Sequence, residues 1–360
     1  MFGLSPLPRT FAAAMRDVES RRTDTRRSAL IDLVRYVDSE QRNEVAQALD
    51  RIVKNDPDAE VRSLAAIAIA DGGFTELADT LAAALDDNAP RVQQMALLAL
   101  GEVGKALGSQ GMKRIERLLT SELPAIRYQA LVAWSSLSGS DGIAALVSAT
   151  NDHDEEVRWI ACRLIDERIR RAASTERDIQ SMPDDDALTP TSQTKTIPLL
   201  NELQRCAHDS AMRVRIAASV VLYRLGDERC LAQLLELVQR RERLSRDEVI
   251  QLVHEFGQLR YEPARAWLSA RARRGWLEGP LGWPALVALG ALGDEAARAE
   301  VVRELDASSL RRRTRAVVAV GELRLKSASE RILGLRARPS GLDPSVVEQT
   351  LRALTESDGC

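Results

Sequence analysis

Hydrophobic residues in this chain fall into one short pattern that returns throughout its length. In Asp56–Gly73, Val61, Leu64, Ala65, Ala68 and Ile69 recur at i, i+3, i+4, i+7 and i+8, the period of one helix face. Asp56 stands where it can accept from the N–H groups of the first turn, Pro57 suits the first helical position, and Gly72 and Gly73 supply a left-handed stop. A helix this short is not stable alone in water, so the pattern predicts a packing partner. The same register, an apolar anchor with a small residue four places on, returns at Val92, Ile126, Val157 and Val214. Weaker copies stand at Thr25, Val249, Leu281, Arg312 and Val346, and all but one of the intervals lie between 31 and 36 residues. Between anchors runs a second amphipathic segment, for instance Phe74–Leu85, Met112–Leu119, Ile143–Ala149, Ile197–Ala207, Leu231–Val238 and Ala296–Leu305. The fold class this predicts is all-α, an α-solenoid of about ten antiparallel helix pairs that bury their apolar faces by stacking on neighbours.

One interval breaks the rhythm. Val157 and Val214 are 57 residues apart, and the excess is polar, with two prolines and the acidic triplet Asp184–Asp186. It predicts a flexible acidic linker over 172–195 between an N-terminal array, 1–171, and a C-terminal array, 196–360. A regulated or partner-binding role is the sharper reading of that segment.

Composition narrows the chemistry. Aromatics are 4% of the 360 residues, so the core must be built from Ala, Leu, Val and Ile. With 29% charged residues and no apolar run near membrane-spanning length, no membrane insertion is expected. The N-terminus has no basic start followed by a sustained apolar stretch, and the four cysteines form no metal or CxxC spacing. Both point to the cytoplasm.

The segment D-x-x-x-x-[VI]-R-x-x-A, as in Asp56–Ala65 and Asp152–Ala161, resembles the second helix of HEAT repeats, in the short bacterial form of the phycobilin-lyase-like group. That resemblance implies a structural ladder between repeats, made by the turn Asp and the helix Arg. The matching pairs are Asp56/Arg62, Asp152/Arg158 and Asp209/Arg215. Asp87 faces Gln93 and Ser121 faces Arg127, so two rungs are incomplete, and the pair is lost after residue 245.

Catalytic and metal sites are not expected. The HEAT-repeat deoxyhypusine hydroxylases hold iron through several His-Glu pairs, whereas this chain has one, His254-Glu255, and His153 and His208 lack a second ligand at helical spacing. No nucleophile motif, phosphate-binding loop or dinucleotide fingerprint is present, so no cofactor is expected and the chain is read as non-catalytic. Arg271, Arg273 and Arg274, with Arg311 and Arg313, make a candidate patch for an acidic partner near Trp267, Trp276 and Trp283. The net charge of −3 weighs against a nucleic-acid backbone binder.

Taking anchor positions 0, +3, +4, +7 and +8 as core leaves +2, +5, +6 and +9 for a concave surface. There the candidate partner-binding residues are Tyr128 and Trp159 at +2, Arg163 at +6, and Asp166 and Tyr223 at +9. The function this predicts is a protein-protein adaptor for a signalling, GTPase or assembly complex. The alternatives are nucleic-acid association through the C-terminal arginines and a lyase-like relative binding a tetrapyrrole.

Overall fold

A computed structural model describes residues 8–180, 193–240, 244–272, 281–337 and 341–355. Among them are twenty α-helices and no strand, arranged as alternating first and second helices of a pair. The chain divides into two compact units, one holding the residues up to Arg171 with the helix Gln193–Cys206, the other running from Ala207 and taking in the end of the helix Glu155–Gln180 from Ala172 onward.

The first unit contains α1 (Phe11–Asp17), α2 (Thr23–Leu33), α3 (Arg42–Asn55), α4 (Ala59–Asp71), α5 (Ala78–Ala84) and α6 (Pro90–Val103). It continues with α7 (Ser109–Leu118), α8 (Pro124–Leu137), α9 (Ile143–Ala149), α10 (Glu155–Gln180) and α11 (Gln193–Cys206). Second helices stack on second helices, α2 on α4 on α6 on α8, and first helices α3, α5 and α7 form the other layer. A single apolar core of small aliphatic side chains runs between the layers from Ala14 to Ala133. The helix α10 continues to Gln180, so the predicted linker is helical over its first nine positions; residues 181–192, with the acidic triplet, lie outside the described residues. The division also falls later than predicted. Asn151 Nδ2 donates to Glu202 at 2.8 Å, and Arg205 donates to the Thr150 carbonyl, which ties α11 to the first unit.

The second unit contains α12 (Met212–Arg224), α13 (Arg229–Gln239), α14 (Arg246–Gln258), α15 (Arg265–Ala272) and α16 (Gly282–Ala291). Then follow α17 (Glu295–Arg303), α18 (Leu310–Glu322), α19 (Ser329–Ala337) and α20 (Pro344–Thr355). Its core is split. One cluster runs from Ile216 to Ala297 and the other from Val301 to Leu354, with α17 contributing Ala297 to the first and Val301 to the second. Stacking between second helices, strong for α14 on α16 and α18 on α20, lapses between α16 and α18.

Helix phase differs from the sequence-based assignment in one column. From α4 to α8 the anchor, +4 and +7 are buried, and +8 except at Trp134, but +3 is not a regular core position: Leu64 and Met95 are half-exposed and Ser28 exposed, against buried Ile160 and Ala217. Instead +5 is buried, at Leu30, Ala66, Leu97, Leu131 and Cys162. A second helix inside a stack touches both neighbours as well as its own first helix, so its buried arc is wider than that of a surface helix and rotated toward the neighbours.

Helix starts and stops follow local chemistry. The N-cap of α4 is Asp58, whose carboxylate accepts from Glu60 and Val61 N–H, so Pro57 lies before the helix and Asp56 caps the turn instead, accepting from Asp58 N–H at 2.9 Å. Five second helices end alike. Gly73, Gly226, Arg260, Gly293 and Arg324 each take a left-handed backbone, with φ of 59, 93, 49, 86 and 48°. The following N–H then returns to a carbonyl in the last turn, as Phe74 to Ile69 (3.0 Å) and Tyr261 to Phe256 (2.9 Å). Glycine adopts this conformation without penalty, whereas for an arginine it costs about 1 kcal/mol. Arg260 also resets the repeat predicted at Val249, whose true anchor is Glu248, one residue earlier.

Candidate protein-interaction surface

Turn aspartates and helix arginines pair between consecutive repeats, but each arginine takes the aspartate of the next repeat rather than the one in its own motif. Arg26 grips Asp56 through Nε and Nη2 at 2.7 and 2.9 Å, Arg62 grips Asp87 at the same distances, and Arg127 grips Asp152 at 2.7 and 2.6 Å. Within a repeat the arginine reaches only a backbone carbonyl of its turn: Arg62 Nη1 to Asp56 O (2.8 Å), Arg158 Nη1 to Asp152 O (2.9 Å). The carboxylate is occupied twice over, by the preceding arginine and by its own turn N–H, as Ala89 N–H to Asp87 at 2.8 Å. Burial pushes the Asp87 and Asp152 carboxyls up, but the hydrogen bonds from Arg62 and Arg127, the turn N–H of Ala89 and Asp154, and the arginine charge together hold both below the usual carboxylate range. In the second unit Asp209 accepts from Ala211 N–H (2.9 Å) and Arg215 lies half-buried on α12. These residues are structural.

Turned away from the ladder and the core, positions +2, +3 and +6 of the second helices in the first unit carry its exposed arc, apart from Ser63 at +2 and Ile160 at +3, which are buried. The +6 column reads Ile31, Ile67, Leu98, Val132 and Arg163 across α2, α4, α6, α8 and α10. Ile31 is 63% and Leu98 41% exposed, and Ile67 and Val132 are half-exposed, so four consecutive helices present an aliphatic side chain at one phase. Tyr128 and Trp159, half-buried, flank it at +2 of α8 and α10. The structure keeps Tyr128, Trp159 and Arg163 on this arc.

Two predicted members leave it. Asp166 is buried and bonds Arg170 at 3.1 Å, because +9 of α10 turns toward the neighbouring layer. Tyr223 belongs to the second unit, where its ring meets Tyr261 edge-on at 5.5 Å. The +6 residues Ile31, Ile67 and Leu98 were missed. Their signal was present as an unbroken aliphatic column at +6, a position the pattern already assigned to the exposed surface.

Two of the five patch arginines, Arg271 and Arg313, are engaged by their own unit. Arg271 lies over the Trp267 ring, 3.6 Å from its centre, and Trp267 is itself buried against Phe256. Arg313 occupies the ladder position of its repeat, donating to Ala307 O at 2.8 Å. Arg315 covers Trp283 at 4.3 Å, and Arg312 pairs with Glu304 at 2.8 Å. Arg311 is exposed, while Arg273, Arg274 and Trp276 lie outside the described residues.

The lapse between α16 and α18 opens a cavity of about 1100 Å3, walled by the ends of α14, α16 and α18 and by α17. His254 lines it and is exposed, while the adjacent Glu255 is buried, so the two side chains of the His-Glu pair do not converge on one site. Among the described residues no group of three or more His, Cys, Asp or Glu is placed to hold a metal, and no helix is long and apolar enough to cross a membrane.

Comparison with known proteins agrees with the architecture. No curated protein matches the chain in sequence. Among solved structures, Escherichia coli YibA is 13% identical, covering 79% of this chain and 93% of its own, with a TM-score of 0.48. Kap95p, in a complex with RanGDP, is 14% identical over 94% of this chain and 49% of its own, with a TM-score of 0.50. A designed armadillo repeat protein in complex with the peptide (KR)4 is 19% identical over 61% of this chain and 99% of its own, with a TM-score of 0.39. At these identities the likeness is one of fold. Residues 46–114, from within α3 to within α7, match the family model of HEAT repeats, and the described residues form an all-α solenoid of helix pairs.

Proposed function

We propose that this chain is a non-catalytic, cytosolic scaffold that docks a partner protein on its first unit, along Ile31, Ile67, Leu98 and Val132, with Tyr128, Trp159 and Arg163 beside them. One observation carries the reading. Isolated exposed aliphatics are ordinary on protein surfaces, whereas a column kept in phase over four stacked helices is an organised apolar strip. The strip is preformed by the stack, so a partner binds it with little ordering cost to this chain. Aromatic and arginine side chains at one end give it the composition of a binding hot spot. Kap95p, similar in fold, is found with RanGDP, which supports the class of function and leaves open whether the partner here is a GTPase, a signalling protein or an assembly factor. The internal engagement of Arg271, Arg312 and Arg313 favours this reading over a nucleic-acid one.

Affinity recovery from the native cell tests it, with wild type, Ile31→Ser/Leu98→Ser and Tyr128→Ala/Trp159→Ala as baits. The serine pair alters exposed positions and should leave stability within about 0.5 kcal/mol of wild type. Each variant should recover the specific partner in reduced yield. Equal recovery by all three baits refutes the proposal.

A further inference from the structure

Of the five second helices that end in the same left-handed turn, three use glycine and two use arginine, Arg260 and Arg324. Both arginines line one cavity, the one between α16 and α18. Gly293, in the repeat between them, is not part of its wall. A residue held in a conformation it disfavours, where glycine serves elsewhere in the same chain, marks a side chain retained for what it contacts.

The rest of the wall suits the same ligand. Arg298, Lys326 and Arg331 join Arg260 and Arg324 in the lining, beside the carboxylates Glu295 and Glu322, and Arg331 is paired with Asp306 just outside it. Arg298 is positioned by hydrogen bonds to Gly290 O (2.8 Å) and Glu295 (2.9 Å), which fixes one rim. The same wall includes the apolar side chains of Trp283, Pro284, Val287 and Leu323. Such a wall pairs acidic groups with its basic side chains and an apolar side chain with its apolar ones.

We propose that this cavity binds an acidic peptide segment of a partner protein, with carboxylates held by Arg260 and Arg324 and an apolar side chain seated against Trp283 and Val287. This site lies in the second unit and does not depend on the strip of the first.

The test uses the full chain and its Arg260→Gly/Arg324→Gly variant. Glycine is the residue the backbone favours at both positions, so the variant folds and its thermal midpoint should equal or exceed that of wild type. The probe is a set of fluorescently labelled peptides of Glu and Asp around one Leu, Phe or Trp, read by anisotropy, beside a single-stranded oligonucleotide of equal charge. Wild type should bind members of the peptide set, and the variant should bind them about tenfold more weakly. Equal binding by the variant, no binding of any peptide by wild type, or a midpoint lowered by the substitutions overturns the assignment. An oligonucleotide bound as tightly as the best peptide overturns it in favour of a phosphate ligand.

Discussion

The ladder has a gap whose repair can be designed. Gln93 stands where Arg62 and Arg127 stand in the flanking repeats, and Ser121 where Asp87 and Asp152 stand. Half the local geometry is already in place. Gln93 Nε2 donates to Asp87 O at 2.7 Å, as Arg62 Nη1 does to Asp56 O, and Ser121 Oγ accepts from Leu123 N–H at 3.3 Å, as Asp87 does from Ala89. Gln93→Arg with Ser121→Asp should therefore add one bidentate rung. The existing rungs on either side, Arg62–Asp87 and Arg127–Asp152, have side chains only 12 to 14% exposed, so the new pair is far from a free surface pair yet not fully desolvated. Charged hydrogen bonds contribute about 1.5–3 kcal/mol, and ordering the longer side chain removes part of that, less here because the glutamine stem is already held. A net gain of about 1 kcal/mol follows, or a rise of about 2–4 °C for a unit of this size. The diagnostic quantity is the coupling in a double-mutant cycle, measured by urea denaturation of the four proteins. Each single change should give a few tenths of a kcal/mol or less, and the pair should exceed their sum by at least about 0.5 kcal/mol. Additivity of the two changes would show that a rung needs more than these two residue types and would sink the account.

Two further outcomes follow from the same contacts. A Cβ on Gly257 would lie 2.9 Å from Ala288 Cα and 3.0 Å from its Cβ, so Gly257→Ala must push α14 from α16 and should lower stability by about 1–2 kcal/mol, whereas Gly334→Ala, with open space around it, should raise it by about 0.5 kcal/mol; equal melting shifts would contradict the close approach. Because Asp87 and Asp152 titrate below their unfolded value, the folded chain binds fewer protons than the unfolded one, and their contribution is present above about pH 4 and is lost as pH falls through the folded value. The melting deficit of Asp87→Asn should accordingly shrink from neutral to acid pH, and a deficit independent of pH would dismiss the charge of that rung as a source of stability.

The repeat itself was legible because its signal is redundant: anchor, small +4 residue, turn Asp and terminal glycine recur together, and any two suffice. Phase was less legible. Ala, Leu and Val occupy +3 and +5 alike, as at Leu64 and Leu97, and only contact with both stacked neighbours decides which turns inward. Ladder direction was hidden for a related reason. Asp56 and Arg62 sit within one turn-helix segment and invite a local pair, but the backbone carbonyl intercepts the arginine there and the carboxylate is left for the repeat before. The two left-handed arginines had a signal that went unread, since aligning helix ends gives Gly73, Gly226, Arg260, Gly293 and Arg324 in one column.

Neighbouring repeats in a solenoid unfold together only to the extent that they share an interface. Where the core of the second unit divides, the two clusters are joined through α17, with Ala297 on one side and Val301 on the other, and through Leu286 of α16, which packs against both. The terminal helices α18 to α20 are thus weakly coupled in folding to the helices before them, and their amides should exchange with solvent through an opening of their own. A ligand grasping Arg260 on one side of the seam and Arg324 on the other would fasten the two cores and merge two cooperative units into one.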